Sequence, residues 1–336
     1  MIKKDREGFM MNRMTTYILE EQYKDTQPVV QETLKKAIID IVGSIIAGSQ
    51  TKEFKSAKDY TFELWKKGDC SVYLSPEKLN SVGAAFMNAT MARALRFDDS
   101  HSLINGPLGS IIFPAIFAIS EEREVSGETF LSALLVGYEV GIRSEMIGNH
   151  PGSNINQHCS WAAMGAGAGG SRVIGLPENK IEYVLGSAEH YITYSPLMNT
   201  IDCSIDQCDV AAWGSMAGVN SSYLTEKGIE RKGDRFSNSN LTFSPDIQDI
   251  GREYLIKELL YKLNMCQRGS KHLGLVKPFR EVSDFEIKQK FLSLTEPIIS
   301  RKNSEQIIEM IIQLENIKNM REFTEAINKL FLKEVV

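Results

Sequence analysis

A block of polar side chains between two helical stretches is the part of the sequence best suited to chemistry. It reads Arg96-Phe97-Asp98-Asp99-Ser100-His101 and brings together a guanidinium, two adjacent carboxylates, a hydroxyl and an imidazole. Histidine and carboxylate side chains are common proton-transfer groups, and histidine titrates nearest to neutral pH. The block is therefore a candidate site for acid/base chemistry. The alternative for a lone histidine such as His101 is a hydrogen-bonded or surface residue.

A second histidine lies before a stretch rich in alanine and glycine. His158 follows the turn-like segment Pro151-Gly152-Ser153-Asn154, and the small-residue stretch runs from Cys159 to Val173. This arrangement predicts that His158 lies at a helix N-terminus, where the partial positive charge of the main chain favours anions. The same alternative of a structural or surface histidine applies here.

Cations cluster late in the chain. Lys262, Arg268, Lys271 and His272 lie in a segment with few acidic residues. Arginine pairs with a carboxylate through two hydrogen bonds, and lysine does so as a point charge. The segment is a candidate carboxylate-binding region, with a solvated surface charge run as the alternative.

Composition limits the class of protein. The 336 residues carry a formal net charge of −5, with 43% hydrophobic and 24% charged residues, which is near the average for folded proteins. The acidic balance argues against a nucleic-acid partner. No stretch reaches the roughly 20 apolar residues that a membrane span requires, and no secretory leader is recognisable at the N-terminus. We expect a cytoplasmic protein without nucleic-acid or membrane partners.

Metal and nucleotide sites are not indicated. Cys203 and Cys208 are the closest pair among five cysteines, and their spacing is not a usual zinc spacing. The odd cysteine count is typical of reduced thiols in the cytoplasm. Gly167-x-Gly169-Gly170 lacks the preceding strand and the lysine of a phosphate loop, so close helix packing explains it better. We predict no metal and no cofactor.

Helical patterns dominate the elements that must position these residues. Apolar residues recur at helical spacing between Val29 and Ile46, with Gly48 as the expected stop. Ser126 is the expected N-cap of a long helix from Gly127 to about Met146. The other helices are predicted over 81–95, 111–120, 159–173, from Pro177 to about 191, over 210–224, a short one over 253–263, and through the charged tail 285–332.

One known family shares this order of features. The stretch from Gly83 to Asp99 resembles the helix and Asp-Asp turn of the MmgE/PrpD family, which includes 2-methylcitrate dehydratase, cis-aconitate decarboxylase and iminodisuccinate epimerase. The resemblance covers most of the chain. It continues through Pro114-Ala115, Glu121, Ser126-Gly127, Gly137-Tyr138-Glu139-Val140, Arg143, His158, Gly175-Leu176, Gly186-Ser187-Ala188, Gly214, Ala217, Lys262 to Arg268 and Phe285 to Leu314.

The resemblance implies an all-α fold like the helical domain of that family. The family's inserted α+β domain is expected to be reduced or absent, because after His272 the chain goes almost directly to the terminal helices. We predict a main helical domain over 1–275 and C-terminal helices over 276–336 that pack back on it. The resemblance also implies a homodimer.

Three departures from the family's pattern bear on the site. Arg96 stands where the family has an aspartate, Gly106-Pro107 where it has a catalytic histidine before the proline, and Asp209 where it has a lysine. The first and last changes reverse a charge, so Arg96 and Asp209 could compensate each other if they face one cavity. Standard methylcitrate dehydration is not expected, because Gly106 carries no acid/base group.

The resemblance implies cofactor-independent acid/base chemistry on a small carboxylated substrate, as a lyase or isomerase in a specialised biosynthetic pathway. His158 would be the acid/base group, His101 could replace the lost histidine, Asp99 would orient the substrate or relay a proton, and Lys262 would hold a carboxylate. The alternative is a non-catalytic ligand-binding or scaffold relative. The expected substrate-binding residues are Arg96, Asp98, Ser100, Gln157, Asp209, Arg268 and His272.

Overall fold

The computed structural model of this chain describes nine stretches. They are 13–65, 68–104, 107–148, 157–159, 161–191, 194–196, 208–233, 249–263 and 279–332. Arg268, His272 and the predicted domain boundary at 275/276 lie outside these residues.

Helices make up most of the described chain, so the all-α prediction is confirmed. Three short 3-10 helices accompany them, at Tyr23–Asp25, Leu255–Glu258 and Leu314–Asn316. The α-helices are α1 (13–20), α2 (Pro28–Gly48), α3 (Lys52–Leu64), α4 (Ser81–Ala94), α5 (Gly109–Glu122), α6 (Gly127–Gly148), α7 (Ala162–Ile174), α8 (Glu178–Tyr191), α9 (Cys208–Glu226), α10 (Asp284–Thr295), α11 (Arg301–Ile312) and α12 (Met320–Leu332).

The local signals for helix ends are confirmed at several positions. α2 ends at Gly48 as predicted, and its apolar stripe from Leu34 to Ile46 is buried. Ser126 precedes α6, and its hydroxyl accepts the N–H of Thr129 at 3.2 Å, as expected of an N-cap. These ends follow from short-range hydrogen bonding, which explains why the sequence shows them.

α5 lies at the centre of the helical layers. It contacts α4, α6, α7 and α9, and its residues from Gly109 to Glu121 are all buried. α6 and α7 approach so closely that a Cβ on Gly165 would lie 2.2 Å from the carbonyl oxygen of Gly137. The small-residue stretch therefore serves close helix packing, as predicted, because only glycine permits backbones to meet at this distance.

Short strands form three small antiparallel sheets among the described residues. β1 (Cys70–Ser71) pairs with β2 (Lys78–Leu79), and β4 (Gln157–Cys159) pairs with β5 (Tyr194–Pro196). The third sheet has the order β3 (Ser100–His101), β6 (Leu259–Lys262), β7 (Phe279–Arg280). In its register Ser100 faces Leu260 and His101 faces Leu259.

Two local predictions were wrong. The expected short helix over 253–263 is a 3-10 turn followed by β6, because β6 finds its hydrogen-bond partners on β3, about 160 residues earlier in the sequence. His158 lies in β4, opposite Ser195, rather than in the first turn of α7, which begins at Ala162.

The C-terminal helices pack against the first part of the chain. α10 contacts α2 and α11, and Phe291 and Ile287 belong to the same hydrophobic core as Ile38 and Ile41. Residues 263–278 are all that separates β6 from β7, which is too little for an inserted α+β domain of ordinary size. No helix within the described ranges is both long and apolar enough to cross a bilayer.

Candidate active site

The turn with the two aspartates begins just after α4 ends at Ala94. Arg96 has a backbone φ of 54°, a left-handed conformation that residues other than glycine, asparagine and aspartate seldom adopt. The chain reverses there, so the side chain of Arg96 is exposed while Phe97, Asp98 and Asp99 are buried. The turn thus sends two carboxylates into the protein interior and leaves one cation at the surface.

Asp98 is held by two charge-assisted hydrogen bonds. Arg93 in α4 donates to its Oδ1 at 2.6 Å, and the hydroxyl of Ser110 in α5 donates to its Oδ2 at 2.6 Å. Burying a carboxylate is costly unless it is paired and hydrogen-bonded. Asp98 meets that condition by joining the end of α4 to the start of α5.

Asp99 lies against the N-terminus of α5. Its Oδ1 accepts the N–H of Gly109 at 2.8 Å, and its Oδ2 accepts the hydroxyl of Tyr138 at 2.6 Å. Burial raises the pKa of Asp99 to about 7, while the hydrogen bond from Tyr138 opposes the rise and the nearby carboxylate of Asp40 adds to it. A buried carboxyl with such a pKa can hold or release a proton near neutral pH.

Gly109 makes this contact possible. A Cβ at this position would lie 2.5 Å from the hydroxyl oxygen of Tyr138 and 2.8 Å from each carboxylate oxygen of Asp99.

We expect Gly109→Ala to lose about 1–3 kcal/mol of unfolding free energy in urea titrations, because the added methyl separates these buried groups. Gly83→Ala in the first turn of α4 is the matched control, since its Cβ would lie 3.1 Å from the Cβ of Trp65. Equal losses in both variants would contradict the prediction.

Lys262 reaches the turn from β6. Its Nζ donates to the carbonyl oxygen of Arg96 at 3.4 Å and lies 5.5 Å from the centre of the Phe97 ring. The residue is 9% exposed, so the ammonium lies at the boundary between the core and the surface. The antiparallel register of β3 and β6 brings Lys262 to this place.

A second lysine reaches the same turn from the other side of the chain. Lys290 in α10 donates to the carbonyl oxygen of Phe97 at 2.7 Å and forms an ion pair with Asp40 in α2. Its Nζ also lies 5.5 Å from the centre of the Phe97 ring. Burial raises the pKa of Asp40 to about 6, although the charge of Lys290 lowers it.

His101 makes hydrogen bonds with main-chain groups through both ring nitrogens. Its Nε2 donates to the carbonyl oxygen of Leu255 at 2.9 Å, and its Nδ1 accepts the N–H of Leu103 at 3.2 Å. These partners specify the neutral tautomer with the proton on Nε2. Burial lowers the pKa of His101, so the imidazole stays neutral around pH 7.

A buried ion pair in α6 supports the same 3-10 turn. Glu139 accepts the N–H of Leu255 at 3.2 Å and of Ile256 at 2.8 Å, and it pairs with Arg143. Arg143 also donates to the carbonyl oxygen of Glu253 at 2.8 Å. Because β6 follows directly, these bonds and the bond from His101 set where Lys262 lies.

The structure brings some of the predicted site residues together and leaves others undescribed. Six of them lie within one turn and one sheet, namely Arg96, Asp98, Asp99, Ser100, His101 and Lys262. Gln157 and His158 lie in β4 and Asp209 in the first turn of α9, but their side chains are outside the description, as are Arg268 and His272 entirely. The proposed pairing of Arg96 with Asp209 therefore stays a prediction.

Sequence reasoning missed Asp40 and Lys290 as members of this constellation. A detectable signal was present, because both are charged residues on an otherwise apolar helix face. Asp40 lies beside Ile41 in the buried stripe of α2, and Lys290 takes the i+3 position after Ile287 in α10. A charge at a core position implies a buried partner. Tyr138, Glu139 and Arg143 were noted only as points of family resemblance.

The described cavities lie away from the aspartate turn. One of about 640 Å³ is lined by residues of α1, the first 3-10 helix and the turn at 250–251, with Tyr17 and Glu21 among them. Another of about 280 Å³ lies between α2 and α10 and is lined by Lys35 and Lys288 among others. Neither includes a residue of the turn, so the chemistry of the side chains, rather than cavity size, identifies the candidate site.

Comparison with known proteins defines the class. The MmgE/PrpD N-terminal domain matches residues 12–240, which include the whole aspartate turn, and the chain therefore belongs to the MmgE/PrpD family. The family resemblance read from the sequence is confirmed, and with it the helical character of this domain.

Two relatives show which branch the chain is similar to. Cis-aconitate decarboxylase of Aspergillus terreus is 31% identical over 168 residues, which are 47% of this chain and 34% of that protein. The cis-aconitate decarboxylase-like protein oryM of Aspergillus oryzae is 28% identical over 193 residues, covering 54% of this chain and 40% of that protein. The matched region thus spans less than half the length of either relative.

Proposed function

We propose that this chain is a lyase that performs cofactor-independent acid/base chemistry on a small carboxylated substrate. The observation that carries the proposal is the aspartate turn, in which exposed Arg96 and half-buried Ser100 flank a buried, hydrogen-bonded pair of carboxylates and Lys262 contacts the same turn. The family membership and the similarity to cis-aconitate decarboxylases support it. Decarboxylation is the first reaction to test, with dehydration and epimerisation as the alternatives.

The accessible and the buried residues of the turn would contribute different parts of the chemistry. Lys262, which is 9% exposed, lies at the edge of the turn and would hold a substrate carboxylate, together with Arg268 and the side chains of Arg96 and Ser100. Asp98, Asp99 and His101 are engaged with internal partners, so they would act as positioning residues beneath the substrate. Gln157, Asp209 and His272 complete the proposed binding set.

His158 would supply the proton. Loss of carbon dioxide from a carboxylate leaves its bonding electron pair on carbon, and an acid must protonate that carbon to complete the reaction. A neutral-pH acid such as an imidazolium can do so without a cofactor, and its removal costs typically about 10²–10⁴-fold in rate. Dehydration and epimerisation require the same type of group.

A panel assay tests the proposal. The protein is incubated with cis-aconitate, citrate, 2-methylcitrate and small unsaturated acids, and products are identified by proton NMR. We expect turnover of at least one acid, a loss of about 100-fold or more in kcat for His158→Ala, and a raised KM for Lys262→Met. His190→Ala on α8 and Lys302→Met on α11, both exposed, are the matched controls. Unchanged turnover in His158→Ala would contradict the proposal.

A non-catalytic binding or scaffold role is the second candidate. Both oxygens of Asp99 and both ring nitrogens of His101 already have partners inside the protein, which is what a purely structural turn would show. Calorimetric titration with citrate and cis-aconitate separates the two candidates. Binding that depends on Lys262 without turnover of any acid in the panel would favour this role. The homodimer, the cytoplasmic location and the biosynthetic pathway remain predictions.

A further inference from the structure

Lys290 is a buried lysine that sequence reasoning did not connect with the site. It is 4% exposed, and it lies on the face of α10 that carries Ile287 and Phe291 into the core. Its ammonium group contacts the carboxylate of Asp40 and the carbonyl oxygen of Phe97. A lysine from the C-terminal helices therefore holds the main chain of the residue that precedes the two aspartates.

Phe97 connects this lysine to Lys262. The ammonium groups of Lys290 and Lys262 each lie 5.5 Å from the centre of the Phe97 ring, within the range of cation–π attraction. Lys262 has one other described polar contact, to the carbonyl oxygen of Arg96 at 3.4 Å. The ring and the main chain of this turn therefore provide the surroundings of the Lys262 ammonium.

The pair of Asp40 with Lys290 is poorly explained as a device for stability alone. Buried ion pairs are often no more stabilising than well-packed apolar residues of similar volume. Asp40 also keeps one oxygen, Oδ2, without a hydrogen-bond partner among the described residues, so the carboxylate is incompletely satisfied. The bond from Lys290 to Phe97, by contrast, acts directly on the turn.

We propose that Lys290 is a positioning residue of the candidate site. Its hydrogen bond fixes the main chain of Phe97, and the Phe97 ring in turn holds the Lys262 ammonium where a substrate carboxylate binds. Asp40 forms an ion pair with Lys290 and keeps its ammonium group aimed at the turn. The inference rests on the proposed function only for the identity of the ligand, because the placement of Lys262 can be measured without turnover.

Lysine NMR provides that measurement. Reductive methylation with ¹³C-formaldehyde labels lysine amines, and the resonance of Lys262 is assigned by its loss in Lys262→Arg. A methylamine near an aromatic ring experiences a ring-current shift, which Phe97→Leu should abolish and thereby calibrate. The test variant is Asp40→Asn with Lys290→Met, a neutral pair that leaves no unpaired buried charge. Lys290→Arg keeps the charge and is the conservative variant.

Another ion pair between the same two helices is a matched control. Lys36 of α2 pairs with Asp284 of α10 at 2.8 Å, on the surface and with no recorded contact to Phe97. The control variant is Lys36→Met with Asp284→Asn. It removes the same two kinds of charge from the same helix pair and leaves the turn untouched.

The expected result is that the ring-current shift of Lys262 persists in the control and is lost in Asp40→Asn/Lys290→Met, with partial recovery in Lys290→Arg. For the acid that the panel assay identifies, KM should rise about tenfold or more in the neutral pair, while kcat changes less than about threefold, as expected for weakened ground-state binding.

A Lys262 shift that is unchanged in the neutral pair overturns the inference. If the neutral pair does not fold, Lys290→Met alone is measured, and an unchanged shift together with an unchanged KM in that variant overturns the inference. If the shift is lost as expected but no protein, including the unmodified one, turns over any acid of the panel, the proposed function is contradicted and the positioning role of Lys290 stands.

Discussion

Arg143→Met is expected to lose about 3–5 kcal/mol of unfolding free energy, the cost of leaving a buried charge without its partner. Arg143 and Glu139 have fully buried side chains on α6, four residues apart. Removing the guanidinium leaves the Glu139 carboxylate with the N–H groups of Leu255 and Ile256 as its hydrogen-bond donors among the described residues. The measurement is urea unfolding followed by far-ultraviolet circular dichroism at pH 7.

The chain offers a control of the same type and spacing. Arg301 and Glu305 of α11 also form an i,i+4 ion pair, at 3.0 Å, but their side chains are 61% and 55% exposed. Arg301→Met should cost no more than about 0.5 kcal/mol, because exposed pairs of this kind contribute little. Equal losses in the two variants would show that burial of the α6 pair has no energetic consequence.

The same variant should disturb the candidate site at a distance. Arg143 and Glu139 hold the 3-10 turn that leads into β6, so we expect faster hydrogen exchange in peptides covering 255–262. The combination of Glu139→Gln with Arg143→Met removes the unpaired charge and should recover part of the stability. It should not restore slow exchange, because the bond from Arg143 to the carbonyl of Glu253 is still missing.

The stability of Asp99→Asn relative to the unmodified protein is expected to increase by up to about 4 kcal/mol as the pH rises from about 4 to about 7. Burial raises the pKa of Asp99 from 3.8 to about 7. The folded state therefore binds the proton more tightly than the unfolded state, and unfolding releases it within this range. The stability associated with protonated Asp99 is complete below the unfolded pKa and is lost as the pH rises through the folded one. Asparagine does not titrate, so the variant avoids that loss.

Two measurements check this prediction. The carboxyl carbon of Asp99 should titrate with a midpoint near pH 7 in ¹³C NMR, and urea midpoints across the pH series should diverge between the two proteins. Tyr138→Phe should move the midpoint upward, because the hydrogen bond from Tyr138 lowers the pKa. Asp59→Asn on the exposed face of α3 is the control and should parallel the unmodified protein. A midpoint below about pH 5 for Asp99 would contradict the assignment.

Much of the helical architecture could be predicted from the sequence. The stripe in α2, the glycine stop at Gly48 and the cap at Ser126 each depend on residues within a few positions of one another. The close contact of α6 and α7 was also foreseeable, since a run of glycine and alanine has little use other than close backbone approach. The location of the candidate site in the aspartate turn came from the same local information together with the family resemblance.

The surroundings of the turn could not be predicted in the same way. β6 was expected to be helical because its residues show no strand signal of their own, and only its pairing with β3 makes it a strand. The roles of Asp40 and Lys290 depend on an ion pair between residues 250 positions apart. The commitment of both nitrogens of His101 to main-chain groups depends equally on where Leu255 is placed.

The sequence by itself determined most of the helices, several of their ends, the family and the turn that carries Asp98 and Asp99, because periodicity, capping and motif spacing act over short distances along the chain. Only the tertiary structure decided which charges are buried, which have partners and which lie at the surface above the turn. The physical reason is that the energy of a buried charge depends on groups from distant segments that meet it in space. Lys262 and Lys290 are the same residue type, and the sequence does not distinguish them. Packing alone makes Lys262 a candidate ligand for the substrate and makes Lys290 the residue proposed to position it.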